Sequence, residues 1–139
     1  MITNPSSGTN VHEIADGIYR INTPVALPDG SAFNFNQYLI ADDDPLLFHT
    51  GPRRMFPLVS EAVAKILPPG KLSYVALSHF EADECGSLND FLAVAQRAVP
   101  VCSRVAAMVS VDVVADRPTR PLADGEVLRL GRHELRWHD

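Results

Sequence analysis

Between Ser78 and Leu88 the chain reads SHFEADECGSL. Five side chains able to bind a metal fall within seven positions there: His79, Glu81, Asp83, Glu84 and Cys85. In an extended segment, positions i, i+2 and i+4 project to the same side. His79, Glu81 and Asp83 would then direct one imidazole and two carboxylates into one volume. Two carboxylates held together cannot both stay ionised cheaply, and a bound cation relieves that cost. Mixed imidazole and carboxylate donors suit iron, manganese or zinc better than magnesium. The competing reading is a solvated acidic turn: carboxylates before a helix complement its dipole, and a lone histidine is usually just hydrogen-bonded. Four potential oxygen or nitrogen ligands directly after an apolar stretch favour the metal. Cys85 is read as a packing residue rather than a nucleophile, because the adjoining carboxylates oppose a thiolate. His49 ends another strand and can approach the same face, whereas His12, His133 and His138 stand isolated.

These residues need a scaffold. Tyr74-Val75-Ala76-Leu77 is a short, nearly all-apolar run, the pattern of a strand covered on both faces. It places His79 just past the carboxyl end of a buried strand, where open α/β sheets build their sites. Upstream, VHEIADGIYRIN alternates about Asp16-Gly17 as a hairpin, and FNFNQYLIA and LLFH read as strands joined by a solvated turn at Asp42-Asp43-Asp44-Pro45. Apolar residues at helical spacing predict a helix from about Met55 to Leu67, ended by Pro68-Pro69-Gly70. A second helix is expected from Leu88 to Val99, with Ser87 and Asp90 as a capping pair. VPVC (99–102) reads as a strand, followed by a helical SRVAAMVSV and a Pro-containing loop. EVLRL and HELRW form a hairpin about Gly131-Arg132. Residues 1–10 are polar and read as a flexible leader, and 11–139 as one domain.

Composition narrows the class. The net charge of −5, with only Lys65 and Lys71 as lysines, leaves no basic stripe for nucleic acid. No apolar run is long enough to span a membrane, and the N-terminus lacks the pattern of a secretory signal, so the expected location is the cytoplasm. Two cysteines are too few for a disulfide framework.

LSHFEADECGSL resembles the His-x-His-x-Asp-His signature of the metallo-β-lactamase superfamily. With Glu81 in the third place it is most similar to the flavodiiron and oxygen-binding di-iron branch. FNFNQYLIADDDPLLFHTG stands where that family has N-x-YLI … LIDTG. The resemblance covers the chain from Val11 and implies an α/β fold, an αββα sandwich with a mixed sheet, of which this chain supplies the N-terminal half. It further implies that His79 and Glu81 bind one metal and Asp83 the other. Glu84, standing where the superfamily has a histidine, becomes an optional second-site ligand. The remaining ligands would come from a second half.

The activity so implied is binding or reduction of dioxygen or nitric oxide at two irons, with a separate protein as electron donor. An alternative is a zinc hydrolase of the broader superfamily, whose metal-bound water attacks a small-molecule ester, thioester or phosphodiester. A third is a metal-free interaction module on the same fold. A half-sandwich leaves one sheet face uncovered, which favours association, including a homo-oligomer. The short chain alone is expected to be inactive.

Overall fold

The four strands nearest the N-terminus alternate direction, and the four that follow do not; that change of topology is what creates the site. In a computed structural model describing residues 1–139, β1 (Ile2–Asn4), β2 (Thr9–Ala15), β3 (Ile18–Ala26), β4 (Ala32–Ile40) and β5 (Leu46–Phe48) form an antiparallel meander. From β5 the sheet continues in parallel through β6 (Tyr74–Ala76), β7 (Val99–Ser103) and β8 (Arg120–Leu122). The order across the sheet is the order along the chain. Parallel neighbours require crossovers, and helices supply them: α1 (Phe56–Ala64) links β5 to β6, and α2 (Ala82–Cys85) and α3 (Leu88–Val94) link β6 to β7. The third crossover carries α4 (Arg104–Ala106), a π-turn (Ala107–Val111) and α5 (Asp112–Val114). Finally β9 (Val127–Arg129) and β10 (Glu134–Arg136) form a separate two-stranded hairpin.

Both faces of β5 to β7 are covered, which explains their unbroken apolar runs. On one face Leu47, Val75 and Cys102 join Val59, Val63, Phe91 and Leu92 from the helices in the larger core. On the other, Leu46, Ala76 and Val101 meet Leu128, Leu130 and Trp137 of the C-terminal hairpin. Phe91 is fully buried and stacks edge-on with Phe56, pinning α3 to α1. The mixed sheet with helices on one face is the expected α/β architecture.

Several boundaries differ from expectation. Residues 1–10 are not a loose leader: Ile2 and Asn4 pair with Asn10 and Thr9 on β2. The Thr9 and Thr23 hydroxyls meet at 3.0 Å beneath the edge, and Thr3 Oγ1 donates to the Thr9 carbonyl. Polar composition conceals this strand because its inward face is made of threonines. α1 covers Phe56–Ala64 within the expected 55–67, flanked by a 3₁₀ turn at Arg53–Met55 and by turns. α3 stops at Val94 rather than Val99. Ser87 does not cap α3; its buried hydroxyl donates to the Pro52 carbonyl at 2.9 Å instead. Arg120–Leu122, expected as loop, pairs with β7 as β8. Asp42 is not a solvated turn residue either: its side chain is 4% exposed and accepts from His133.

Candidate metal centre

The parallel strands β5 and β6 end side by side, so the loops leaving them lie together. Phe48 pairs with Ala76, and the His49 N–H donates to the Ala76 carbonyl at 2.8 Å. Two loops therefore face each other, 49–53 after β5 and 77–87 after β6. Thr50 stitches them together. Its backbone N–H and its hydroxyl both donate to the Glu84 carbonyl, at 2.7 and 3.2 Å, and its Oγ1 accepts from the Ser87 N–H at 3.0 Å. Gly86 closes the same seam. A Cβ there would lie 2.8 Å from the Arg53 nitrogen and 3.0 Å from the Pro52 Cα, so only glycine allows α2 this close to the 52–53 backbone.

Within the 77–87 loop, Glu81 is extended, with φ −131° and ψ 154°, and the helical turn begins at Ala82. The alternation expected across 79–83 is not realised: residues 78–80 bend, and the Glu81 N–H donates back to the His79 carbonyl at 3.0 Å. Asp83 and Glu84 lie on a helical turn, where successive side chains diverge by the helical angle instead of alternating. The outcome is a different grouping. Carboxylate oxygens of Glu81, Asp83 and Glu84 all lie within 4.8 Å of one another. His79 stands beside this trio rather than inside it. Its ring is 74% exposed, with Nδ1 3.6 Å from Glu84 Oε1. The Cys85 thiol donates to the Glu81 carbonyl at 3.2 Å, and the side chain packs partly against the larger core. Burial pushes the Cys85 thiol pKa up, and the Glu84 and Asp83 carboxylates push it further. Such a thiol is a poor nucleophile.

Glu84 is the buried member of the group, 9% exposed. Its Oε2 accepts from the Ser78 hydroxyl at 2.9 Å and from the His79 backbone N–H, and lies 3.4 Å from His49 Nε2. His49 reaches this position with φ +66°, a left-handed backbone rare for residues other than glycine, and stacks on Phe48 at 4.3 Å. Burial holds the His49 pKa below its ordinary value, against the opposing pull of the Glu84 and Asp83 carboxylates. Ser78 and Thr50 were not legible as site residues. Nothing distinguishes them locally; they matter because β5 and β6 are adjacent and parallel, a long-range fact.

The donor set of imidazole nitrogen and clustered carboxylate oxygen is hard, and fits a hard di- or trivalent cation such as iron or manganese. The three carboxylates repel one another across less than 4.8 Å until such a charge arrives.

The chain is similar to several known proteins. The chain is 26% identical over 107 residues to rubredoxin-oxygen oxidoreductase of Megalodesulfovibrio gigas, covering 76% of this chain and 27% of that protein. It is 27% identical over 120 residues to a protein provisionally named diflavin flavoprotein A 2 from Nostoc sp., covering 85% and 20% respectively. The chain thus spans only about a fifth to a quarter of the curated relatives it matches. Among solved structures, the rubredoxin oxygen:oxidoreductase of Desulfovibrio gigas superposes with a TM-score of 0.82 at 23% identity, over 94% of this chain and 35% of that one. The metal-soaked Flv1 flavodiiron core of Synechocystis sp. PCC6803 does so with a TM-score of 0.79 at 24% identity, over 91% and 34%. Residues 33–137, which run from β4 through the site to the C-terminal hairpin, match the family described as ODP family beta lactamase, and the chain belongs to that family.

Proposed function

We propose that this chain carries the first metal-ligand loop of a di-iron centre that binds or reduces dioxygen or nitric oxide. His79, Glu81 and Asp83 hold iron, with Glu84 alongside them. The observation that carries this reading is the placement of the three clustered carboxylates and one imidazole at the carboxyl ends of β5 and β6, in a chain of this family. Glu81 discriminates between metals: a carboxylate in that place adds a hard oxygen donor and favours iron over zinc. Iron held there would offer coordination positions to the diatomic substrate and would pass on to it electrons delivered by the donor protein. The chain's residues set the ligand charge and fix the loop: Thr50 and Gly86 hold α2 to the β5 loop, so Asp83 and Glu84 are presented from a rigid turn. The named relatives include a flavodiiron core and a rubredoxin-oxygen oxidoreductase. These support iron, oxygen as substrate, and an electron donor on a separate protein. The chain's own residues are acidic around the site, which suits a cation and leaves an uncharged diatomic unhindered.

The test is metal analysis of the protein as isolated, with iron and zinc quantified together, for the wild type and for His79→Ala. Iron in excess of zinc, reduced by the substitution, is expected. Zinc alone, or iron content indifferent to His79→Ala, would overturn the assignment.

A further inference from the structure

Glu84 does not share the posture of its acidic neighbours. Its side chain is drawn back under the loop, and its Oε2 is already occupied by the Ser78 hydroxyl and the His79 backbone N–H. Behind it, His49 Nε2 sits 2.9 Å from Ser78 Oγ. The Ser78 hydroxyl donates to Glu84, and His49 Nε2 lies within hydrogen-bond distance of both the Ser78 Oγ and its backbone nitrogen, at 2.9 and 3.4 Å, so Ser78 links β5 to the carboxylate. A carboxylate anchored in this way has one oxygen left, Oε1, which makes no hydrogen bond within the chain. The nearest basic nitrogen recorded for it is His79 Nδ1 at 3.6 Å.

We propose that Glu84 is a positioning residue for His79. Its anchored carboxylate accepts the Nδ1–H of the imidazole and so presents Nε2, with its lone pair free, to the metal. The proposal rests on the reading of His79 as a ligand. Metal-ligating histidines are commonly held at their second nitrogen by a carboxylate, which fixes both tautomer and ring orientation. His79 has particular need of this, because its side chain is 74% exposed and its ring's one hydrogen-bond contact is with Ser78 Oγ, 3.5 Å from Nδ1. The 3.6 Å separation is longer than a hydrogen bond, and a small turn of the exposed His79 ring is enough to close it. Glu84 therefore contributes to affinity without being a ligand itself, and the two oxygens have distinct duties: Oε2 fixes the carboxylate to the loop, and Oε1 fixes the ring.

The experiment uses the full metal-free chain, with the ring nitrogens of His79 read by ¹⁵N NMR well above the ordinary imidazole pKa. Wild type is expected to hold the Nδ1–H tautomer. Glu84→Met, which removes the acceptor, should revert to Nε2–H, the form free imidazole favours in water. Glu84→Gln keeps a carbonyl acceptor and should restore part of the Nδ1–H population; it also serves if Glu84→Met does not fold. In parallel, Mn²⁺ titration should show about 10- to 100-fold weaker binding in Glu84→Met than in wild type, with Glu84→Gln between them. Nε2–H in wild-type His79, or a tautomer indifferent to both substitutions, overturns the proposal. So does complete loss of Mn²⁺ binding in both variants with the tautomer unchanged, since that is the signature of a direct ligand. Absence of Mn²⁺ binding in wild type, with the tautomer contrast intact, would instead overturn the metal reading and leave the Glu84–His79 contact supported.

Discussion

Asp42 and His133 lie 91 residues apart, and their side chains meet at 2.6 Å between Oδ2 and Nδ1. The other ring nitrogen, Nε2, faces the Asp16 carbonyl at 2.7 Å. Both partners are acceptors, so satisfying both requires a ring protonated on both nitrogens. The contact ties the turn of the β9–β10 hairpin to the β4–β5 and β2–β3 turns, and Arg132 adds an ion pair with Asp16 at 3.0 Å.

This latch makes stability depend on pH in two directions. Hydrogen bonds to Asp42 and Asp16 raise the His133 pKa, against burial and the nearby Arg132. Its contribution is therefore complete below the ordinary imidazole value of 6.5 and is lost as pH rises through the higher folded value. Burial would raise the Asp42 pKa, but the hydrogen bonds from His133, Asp43 and Arg132 outweigh it and hold the carboxyl well below its usual range. That contribution is present above the ordinary carboxylate pKa and is lost as pH falls through the lower folded value. Urea midpoints measured across pH should fall on the alkaline side in wild type. The difference between wild type and His133→Phe should shrink there; a constant difference across pH would show that His133 is not held as the imidazolium.

Gly86→Ala should loosen the whole centre. The added Cβ meets backbone of Ala82, Arg53 and Pro52, none of which can rotate away as a side-chain tip would. An overpacking cost of about 1–3 kcal/mol is expected, read as a lower urea midpoint. Hydrogen exchange should rise at the Thr50 and Ser87 amides, which cross the same seam. Unchanged protection at those two amides would mean that the close approach is not what holds α2.

Gln37 points the other way. It is fully buried on the helix-facing side of β4, and neither its Nε2 nor its Oε1 has a hydrogen-bond partner. A buried unsatisfied group costs about 1–3 kcal/mol. Gln37→Met keeps the length, removes the polar atoms, and should raise the urea midpoint by a corresponding amount. Destabilisation would show instead that Gln37 is paired in solution.

The sheet and its crossovers were legible because their signals are local: continuous apolar runs for β5 to β7, helical spacing for α1, Asp16-Gly17 for the β2–β3 turn. What was not legible depends on residues distant in sequence. α3 ends early because the Arg117 guanidinium takes the carbonyls of Leu92, Ala95 and Ala98, at 2.7, 2.9 and 2.7 Å. No feature near Ala95 announces that. The candidate site was proposed from residue types alone, since His79, Glu81, Asp83 and Glu84 are chemically conspicuous. Their arrangement was not, because Ala82–Cys85 winds into a helical turn that the alternating pattern gives no reason to expect. The inward role of Glu84 follows from Ser78 and His49, which only the β5–β6 pairing brings beside it.

The proposed iron site is the group of carboxylates and imidazole after β6. It is tested most directly by anaerobic Fe²⁺ titration of this chain beside a Glu81→Ala, Asp83→Ala double variant, with bound iron read after dialysis. Three donors from a single loop leave coordination positions open, so this chain alone should bind iron weakly, with no more than one ion per chain. The double variant, which removes two of the three clustered carboxylates while the Thr50 and Gly86 seam stays intact, should bind none. The same isotherm for both proteins would contradict the account, and so would two irons retained through dialysis by the double variant.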